Sequence, residues 1–292
     1  MERKPLRSYL IWAFALAWAL QGAAIVFARG GQAHAFQLVL LVSMYAPFAA
    51  ALLAKIPLRD MGWSLRLRGK WRWVLAAWLG FAVTAVLGAA LYYLLFPAAL
   101  DLSGEMLRTQ LGEAGLRQLE AQGMSLQTLM VVQIVQALTY APLINTLAAL
   151  GEEVGWRGAM YPLLKERLGT AKGRALGGVI WGAWHWPVMI LAGYNYGTAY
   201  WGAPVLGPLL FCVVCVALGA VIDFLYEKTG CIWVPALAHG AFNAVSSLPT
   251  LVMNPAYADR MTLGPLQIGL IAGIPMLLLG YTMLGRSGRE RS

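Results

Sequence analysis

The sequence predicts an all-α polytopic membrane protein, a bundle of about eight transmembrane helices forming a single membrane domain over 1–292. Three observations predict it. Hydrophobic residues make up 60% of the chain and charged ones 12%, with a mean hydropathy of +0.64. Apolar stretches of about 20 residues recur along the chain, the length a helix needs to cross the hydrocarbon layer. The basic residues sit mostly in short segments between those stretches. The net charge of +9 therefore reads as membrane topology, and no nucleic-acid partner is expected.

Taken in order, the first span is expected over 8–28. It follows a basic start, as a signal peptide would, but is longer than the apolar core of about 7–15 residues that such a peptide carries. Further spans are expected over 36–54, 73–96, 139–164, 175–192, 204–226, 232–253 and 263–284. The run 126–164 is too long for one span, so 126–138 is either a separate interfacial helix or the start of a long, tilted one. The external segment 101–127 is rich in Glu, Gln, Leu and Gly and reads as one or two short amphipathic helices on the outer surface. Gly178-x-x-x-Gly182 and Gly269-x-x-x-Gly273 are small-residue pairs suited to close helix packing. Cys212 and Cys215 lie inside one apolar stretch and read as small apolar residues, with no disulfide framework.

Orientation follows from the loops, because cytoplasmic loops are enriched in Lys and Arg. With the N-terminus inside, the inner segments hold Arg3, Lys4, Arg7, Lys55, Arg59, Arg66, Arg68, Lys70, Arg72, Lys165, Arg167, Lys172, Arg174, Lys228, Arg286, Arg289 and Arg291. The outer segments hold only Arg29, Arg108, Arg117 and Arg260. Both termini are expected in the cytoplasm. A compact chain without a soluble domain suits a prokaryotic plasma membrane.

The polar residues that interrupt the apolar runs carry the functional signal. Glu152, Glu153 and Arg157 fall within six residues of a stretch that is otherwise apolar from 126 to 164. Ionisable residues inside a membrane are costly and mark function by default. Two later apolar stretches each add one histidine, His185 and His239, the second followed by Asn243. Counting about 1.5 Å per residue from the nearest basic loop puts Glu152, His185 and His239 in one layer, roughly 16–20 Å deep. Glu153 and Arg157 are four apart and suit a buried ion pair, which leaves Glu152 to face the histidines; Arg157 can also pair with both carboxylates. His239 and Asn243 share a helix face for the same reason. The layer is expected to be reached through a cytoplasm-facing cavity.

Asp223, near the cytoplasmic end of its span, reads as structural, and so does Asn145. Trp181, Trp184 and Trp186 read as cavity walls or packing. Tyr194, Tyr196, Tyr200 and Trp201 read as an aromatic belt at the outer interface. His34, in a short outer loop, is expected to be incidental.

Glu152-Glu153-x-x-x-Arg157, Trp181-x-x-x-His185 and His239-x-x-x-Asn243, in that order over 151–243, resemble the CPBP family of intramembrane proteases. This family comprises the CAAX prenyl-endopeptidases and bacteriocin-processing (Abi) enzymes. Trp181 is a mild departure, since the middle motif often starts with Phe in the family. The resemblance implies a catalytic core over about 139–253, with spans 8–28, 36–54, 73–96 and 263–284 peripheral. It also implies that Glu152 is the general base that activates water and that His185 helps to hold that water. His239 and Asn243 would then stabilise the oxyanion, and Glu153 and Arg157 would support the site. The substrate would be a membrane-associated protein or peptide, prenylated or leader-bearing.

Two cofactor readings stay open. In the glutamate-protease reading none is required; in the metalloprotease reading Glu152, His185 and His239 ligate Zn²⁺ with one open position. The absence of a His-Glu-x-x-His motif favours the first. Two rival functions also follow from the same residues. A non-catalytic member of the family would act as an immunity or scaffold protein, against which the intact motif set argues. A proton-coupled transporter would string ionisable groups across the whole membrane, whereas here the outer halves of the spans nearly lack them.

Overall fold

The computed structural model describes residues 4–288. Of the basic residues assigned to the inner segments, Arg3, Arg289 and Arg291 lie outside the described residues, as does the side chain of Lys4. The regular structure of the described residues is helical, apart from one isolated bridge between Leu100 and Met253. The order is α1 (Lys4–Arg29), α2 (Ala33–Ser43), α3 (Ala46–Leu53), α4 (Trp71–Leu95), α5 (Glu105–Ala121), α6 (Leu126–Leu138) and α7 (Ala141–Glu153). A π-helical turn over Val154–Met160 joins α7 to α8 (Tyr161–Leu168). Then come α9 (Thr170–Trp184), α10 (Trp186–Ala192), α11 (Leu206–Thr229), α12 (Trp233–Val245) and α13 (Ile274–Leu284).

Five stretches are long and apolar enough to cross a membrane: Pro5–Arg29, Ala33–Leu53, Trp71–Leu95, Thr170–Ala192 and Leu206–Thr229. A sixth is the bent pair Leu126–Leu138 and Ala141–Leu168, which turns by 54°. Pro142, Pro187 and Pro47 explain where three of the breaks fall. Each sits in the first turn of a new helix, where its missing N–H costs nothing. The count of eight expected from hydropathy is not reached by helix length. Over 232–253 the helix α12 stops at Val245, ahead of Pro249; over 263–284 only α13 is helical. Gly264, Pro265 and Gly269 hold the preceding segment in turns. The Gly269/Gly273 pair is consequently not a helix–helix stripe: a Cβ on Gly269 would meet the backbone of Gly264 at 2.7 Å.

The other pair behaves as expected. A Cβ on Gly178 would lie 2.3 Å from Cα of Val216, and one on Gly182 would lie 2.6 Å from Cα of Cys212. α9 and α11 thus touch backbone to backbone. Overpacking a filled contact costs about 1–3 kcal/mol, so Gly178→Ala is expected to lower the thermal midpoint of the detergent-solubilised protein. An unchanged midpoint would contradict this contact.

α12 packs along α7, α11 against α9, and α1 against α2 and α3. At the end of the bundle that carries the basic loops, Lys165 meets Asp223 at 2.7 Å and Glu227 at 2.6 Å, and Arg174 meets the same two at 2.7 and 3.1 Å. Asp223 is structural, as expected, and ties α8, α9 and α11 together. At the opposite end α5 breaks at Gly112 into two short pieces. Before it, Asp101 accepts hydrogen bonds from the Ser103 hydroxyl and from the N–H groups of Ser103 and Glu105, which hold its carboxyl below the usual carboxylate range.

Candidate active site

The two carboxylates end α7, where the chain passes into the π turn. Such turns insert one extra residue per turn and re-aim side chains, and they recur at functional sites. Glycine lets this segment press against the α2–α3 junction. A Cβ on Gly151 would sit 2.7 Å from the carbonyl of Met44, and one on Gly155 2.6 Å from the carbonyl carbon of Pro47. The motif is therefore held from behind by backbone, and its two carboxylates diverge into different surroundings.

Glu153 is fully buried. Its Oε1 accepts from Nη1 of Arg157 at 2.8 Å and from Nδ1 of His239 at 2.8 Å. The expected Glu153–Arg157 pair is present, and Arg157 stacks on the faces of Trp181 and Tyr161 at 4.5 and 4.8 Å. The histidine that meets a carboxylate directly is thus His239, and it meets Glu153 rather than Glu152.

Glu152 is held differently. Its Oε2 accepts from the indole N–H of Trp181 at 2.7 Å and of Trp156 at 3.0 Å. Its other oxygen, Oε1, is left for the cavity. Two donors on one oxygen fix the carboxylate plane. Trp181 had been read as wall or packing; its ring also packs edge-on against His239, with centroids 5.2 Å apart. Replacing it by Phe keeps the ring and removes the N–H. A hydrogen bond to a charged group is worth about 1.5–3 kcal/mol, so Trp181→Phe is expected to slow turnover roughly 10–100-fold at little cost in folding. Turnover equal to that of the wild type would remove the indole from the account.

His185 occupies the joint between α9 and α10, two residues before Pro187. Its Nδ1 lies 3.0 Å from the carbonyl of Trp181. A carbonyl only accepts, so Nδ1 carries the proton, and Nε2 of the neutral ring is an acceptor. Phe211 and Trp184 hold the ring from its sides.

Glu152, His185, His239 and Asn243 all line one cavity of about 450 Å³. The structure thus brings the four sequence-predicted residues together from α7, the α9–α10 joint and α12. Asn243 is exposed on the cavity wall; Asn145 lines the same wall and donates to the carbonyl of Gly240 at 3.4 Å. Gln21 and Asn195 also line it, and nothing in their sequence surroundings singled them out. Tyr194 lines the cavity and Tyr196 is buried, bonding the carbonyl of Ile268, so the aromatic belt expected there keeps Trp201 as its fully exposed member. His34 is exposed in the first turn of α2 and is absent from the lining.

On the basic-loop side of Glu152, Trp156, Arg157 and Tyr161 are fully buried and close the floor. The remaining lining comes from the other end of the bundle: Gln37 in α2, Tyr194 and Asn195 after α10, and Ser246 and Ser247 after α12. The cavity therefore extends from Glu152 toward the end of the bundle that carries these residues.

No group of three His, Cys, Asp or Glu side chains converges as a metal-holding set among the described residues. Nδ1 of each histidine is committed to a protein oxygen, and Glu152 is turned onto two indoles. Nε2 of both rings and Oε1 of Glu152 are the atoms that would hold the Zn²⁺ of the metalloprotease reading, and no step is routed through a metal.

The geometry agrees with comparisons to known proteins. Residues 134–245 match a family model described as type II CAAX prenyl endopeptidase Rce1-like. A protein of Methanococcus maripaludis named CAAX prenyl protease 2 is 30% identical over 82 residues, which is 28% of this chain and 30% of that protein. The match thus spans less than a third of that relative's length. The family segment contains α7, the π turn, α9 and α12, and with them each residue of the site. Residues 134–245 of this integral membrane protein are similar to the Rce1-like, CPBP-type CAAX protease family.

Proposed function

We propose that this protein is an intramembrane endopeptidase that uses a glutamate-activated water to cleave a membrane-associated protein or peptide. The observation that carries the reading is the convergence of Glu152, His185, His239 and Asn243 on one cavity. In this scheme a water sits between Oε1 of Glu152 and Nε2 of His185. Glu152 takes one proton as the water oxygen attacks the scissile carbonyl carbon. The oxyanion that forms is met by Nε2–H of His239 and the side-chain amide of Asn243. Glu152 then passes its proton to the amide nitrogen as the C–N bond breaks. A positioned base contributes about 10²–10⁴-fold, and each oxyanion donor about 3–4 kcal/mol.

The Glu153 contact gives His239 its part. With Nδ1–H on Glu153, Nε2 donates only when the ring is an imidazolium, and the adjacent carboxylate is the counter-charge for that state. Arg157 in turn balances Glu153. The matched family's description makes a prenylated polypeptide one substrate class of this proposal, and a leader-bearing polypeptide is the other. The proposed setting is a prokaryotic plasma membrane, with both termini cytoplasmic.

The test compares new protein termini in host membranes carrying the wild type or Glu152→Ala at equal expression. A membrane-protein cleavage seen only with Glu152 supports the protease and identifies its substrate. Identical termini together with an identical cellular phenotype from both forms would replace it with the scaffold reading.

A further inference from the structure

Asn145 stands on α7 seven residues before Glu152. Seven residues are close to two helical turns, so the two side chains share a face and lie about 10 Å apart along the axis. Both line the cavity, and Asn145 is half-buried on its wall. The neighbouring α12 fixes the backbone there. A Cβ on Gly240 would meet the backbone nitrogen of Thr146 at 2.6 Å and the carbonyl carbon of Asn145 at 2.9 Å, so the two helices touch backbone to backbone.

The same contact sets the carboxamide of Asn145. A carbonyl only accepts, so the side-chain nitrogen faces the carbonyl of Gly240, 3.4 Å away, and Oδ1 is turned from it. That bond is long, and among the described residues no protein group donates to Oδ1. Whatever meets Oδ1 in the cavity must bring a donor. Glu152 is the one carboxylate in the lining, and no Lys or Arg joins it, so a neutral N–H suits the surroundings of Asn145 better than an ammonium group. Every polypeptide carries such an N–H on its backbone. An extended chain rises about 3.3 Å per residue, so a segment whose scissile bond lies at Glu152 passes Asn145 about three residues away.

We propose that Asn145 is a substrate-binding residue whose Oδ1 accepts from a backbone N–H of the extended segment being cleaved, about three residues from the scissile bond. This role rests on the protease reading above. It gives Asn145 a part in positioning the substrate beyond the helix–helix bond to Gly240.

The test is a double-mutant cycle between protein and substrate. The full-length protein in vesicles is assayed on the peptide spanning the cleavage site found by the termini comparison, and on versions of it N-methylated at one backbone amide at a time. Each methylation removes a single N–H. In the wild type, one amide about two to four residues from the scissile bond is expected to lose roughly 3–10-fold in kcat/KM on methylation, the size of one neutral hydrogen bond. In Asn145→Leu the unmethylated peptide is expected to lose about as much, chiefly through KM, and methylation of that amide to cost nothing further. Asn145→Ala serves where Asn145→Leu does not fold. Methylation losses that match the wild type at every amide would overturn the role. So would a lowered thermal midpoint with kcat/KM unchanged, the mark of a helix–helix bond alone. In both cases cleavage persists and the protease reading stands. If no Glu152-dependent cleavage is found, the protease reading fails and this role falls with it.

Discussion

Glu152→Gln is expected to lower the rate of peptide hydrolysis by at least about 10²-fold, the lower end of what a positioned general base contributes. The change is nearly isosteric. Gln can still accept from Trp156 and Trp181 through its amide oxygen, so the packing that holds residue 152 survives. What it loses is the ability to take a proton from water. The expected signature is a fall in kcat with the thermal midpoint within error of the wild type. Activity retained in Glu152→Gln would mean that the water is activated elsewhere, with Glu153 the first group to examine.

Glu153→Ala is expected to act by a different route and to be the most damaging change to folding. It leaves Arg157, fully buried and stacked on two aromatic rings, without its carboxylate. Removing one member of a buried pair costs about 3–5 kcal/mol, because the remaining charge has no compensation. It also frees Nδ1 of His239. Adding Arg157→Met removes the stranded charge, so the double variant is expected to recover most of the stability while its activity stays low. That split separates the two roles of Glu153, neutralising Arg157 and holding His239. A double variant that regains both stability and turnover would show that the His239 contact has no part in catalysis.

Much of this was legible because the sequence is so apolar. In such a chain each polar side chain in a span stands out, and Glu152, Glu153, Arg157, His185, His239 and Asn243 are all visible on that ground. The Glu153–Arg157 pair followed from helical spacing, and Asp223 from its place near a basic loop. Trp156, Trp181, Gln21 and Asn195 were harder. Tryptophan is common in membrane helices, so an indole N–H aimed at a carboxylate has no local signature, even where Trp156 stands four residues after Glu152. The last two stretches are not matched by helices of spanning length, because hydropathy registers apolar content and not the Pro and Gly that end α12 and delay α13.

The central claim is that Glu152 activates a water for peptide hydrolysis in this cavity. The most direct measurement uses the purified protein in vesicles, a peptide spanning the cleavage site found by the termini comparison, and water enriched in ¹⁸O. The account predicts one ¹⁸O in the new C-terminal carboxylate, formed by the wild type at least about 10²-fold faster than by Glu152→Gln. Cleavage at equal rates by the two forms would contradict it.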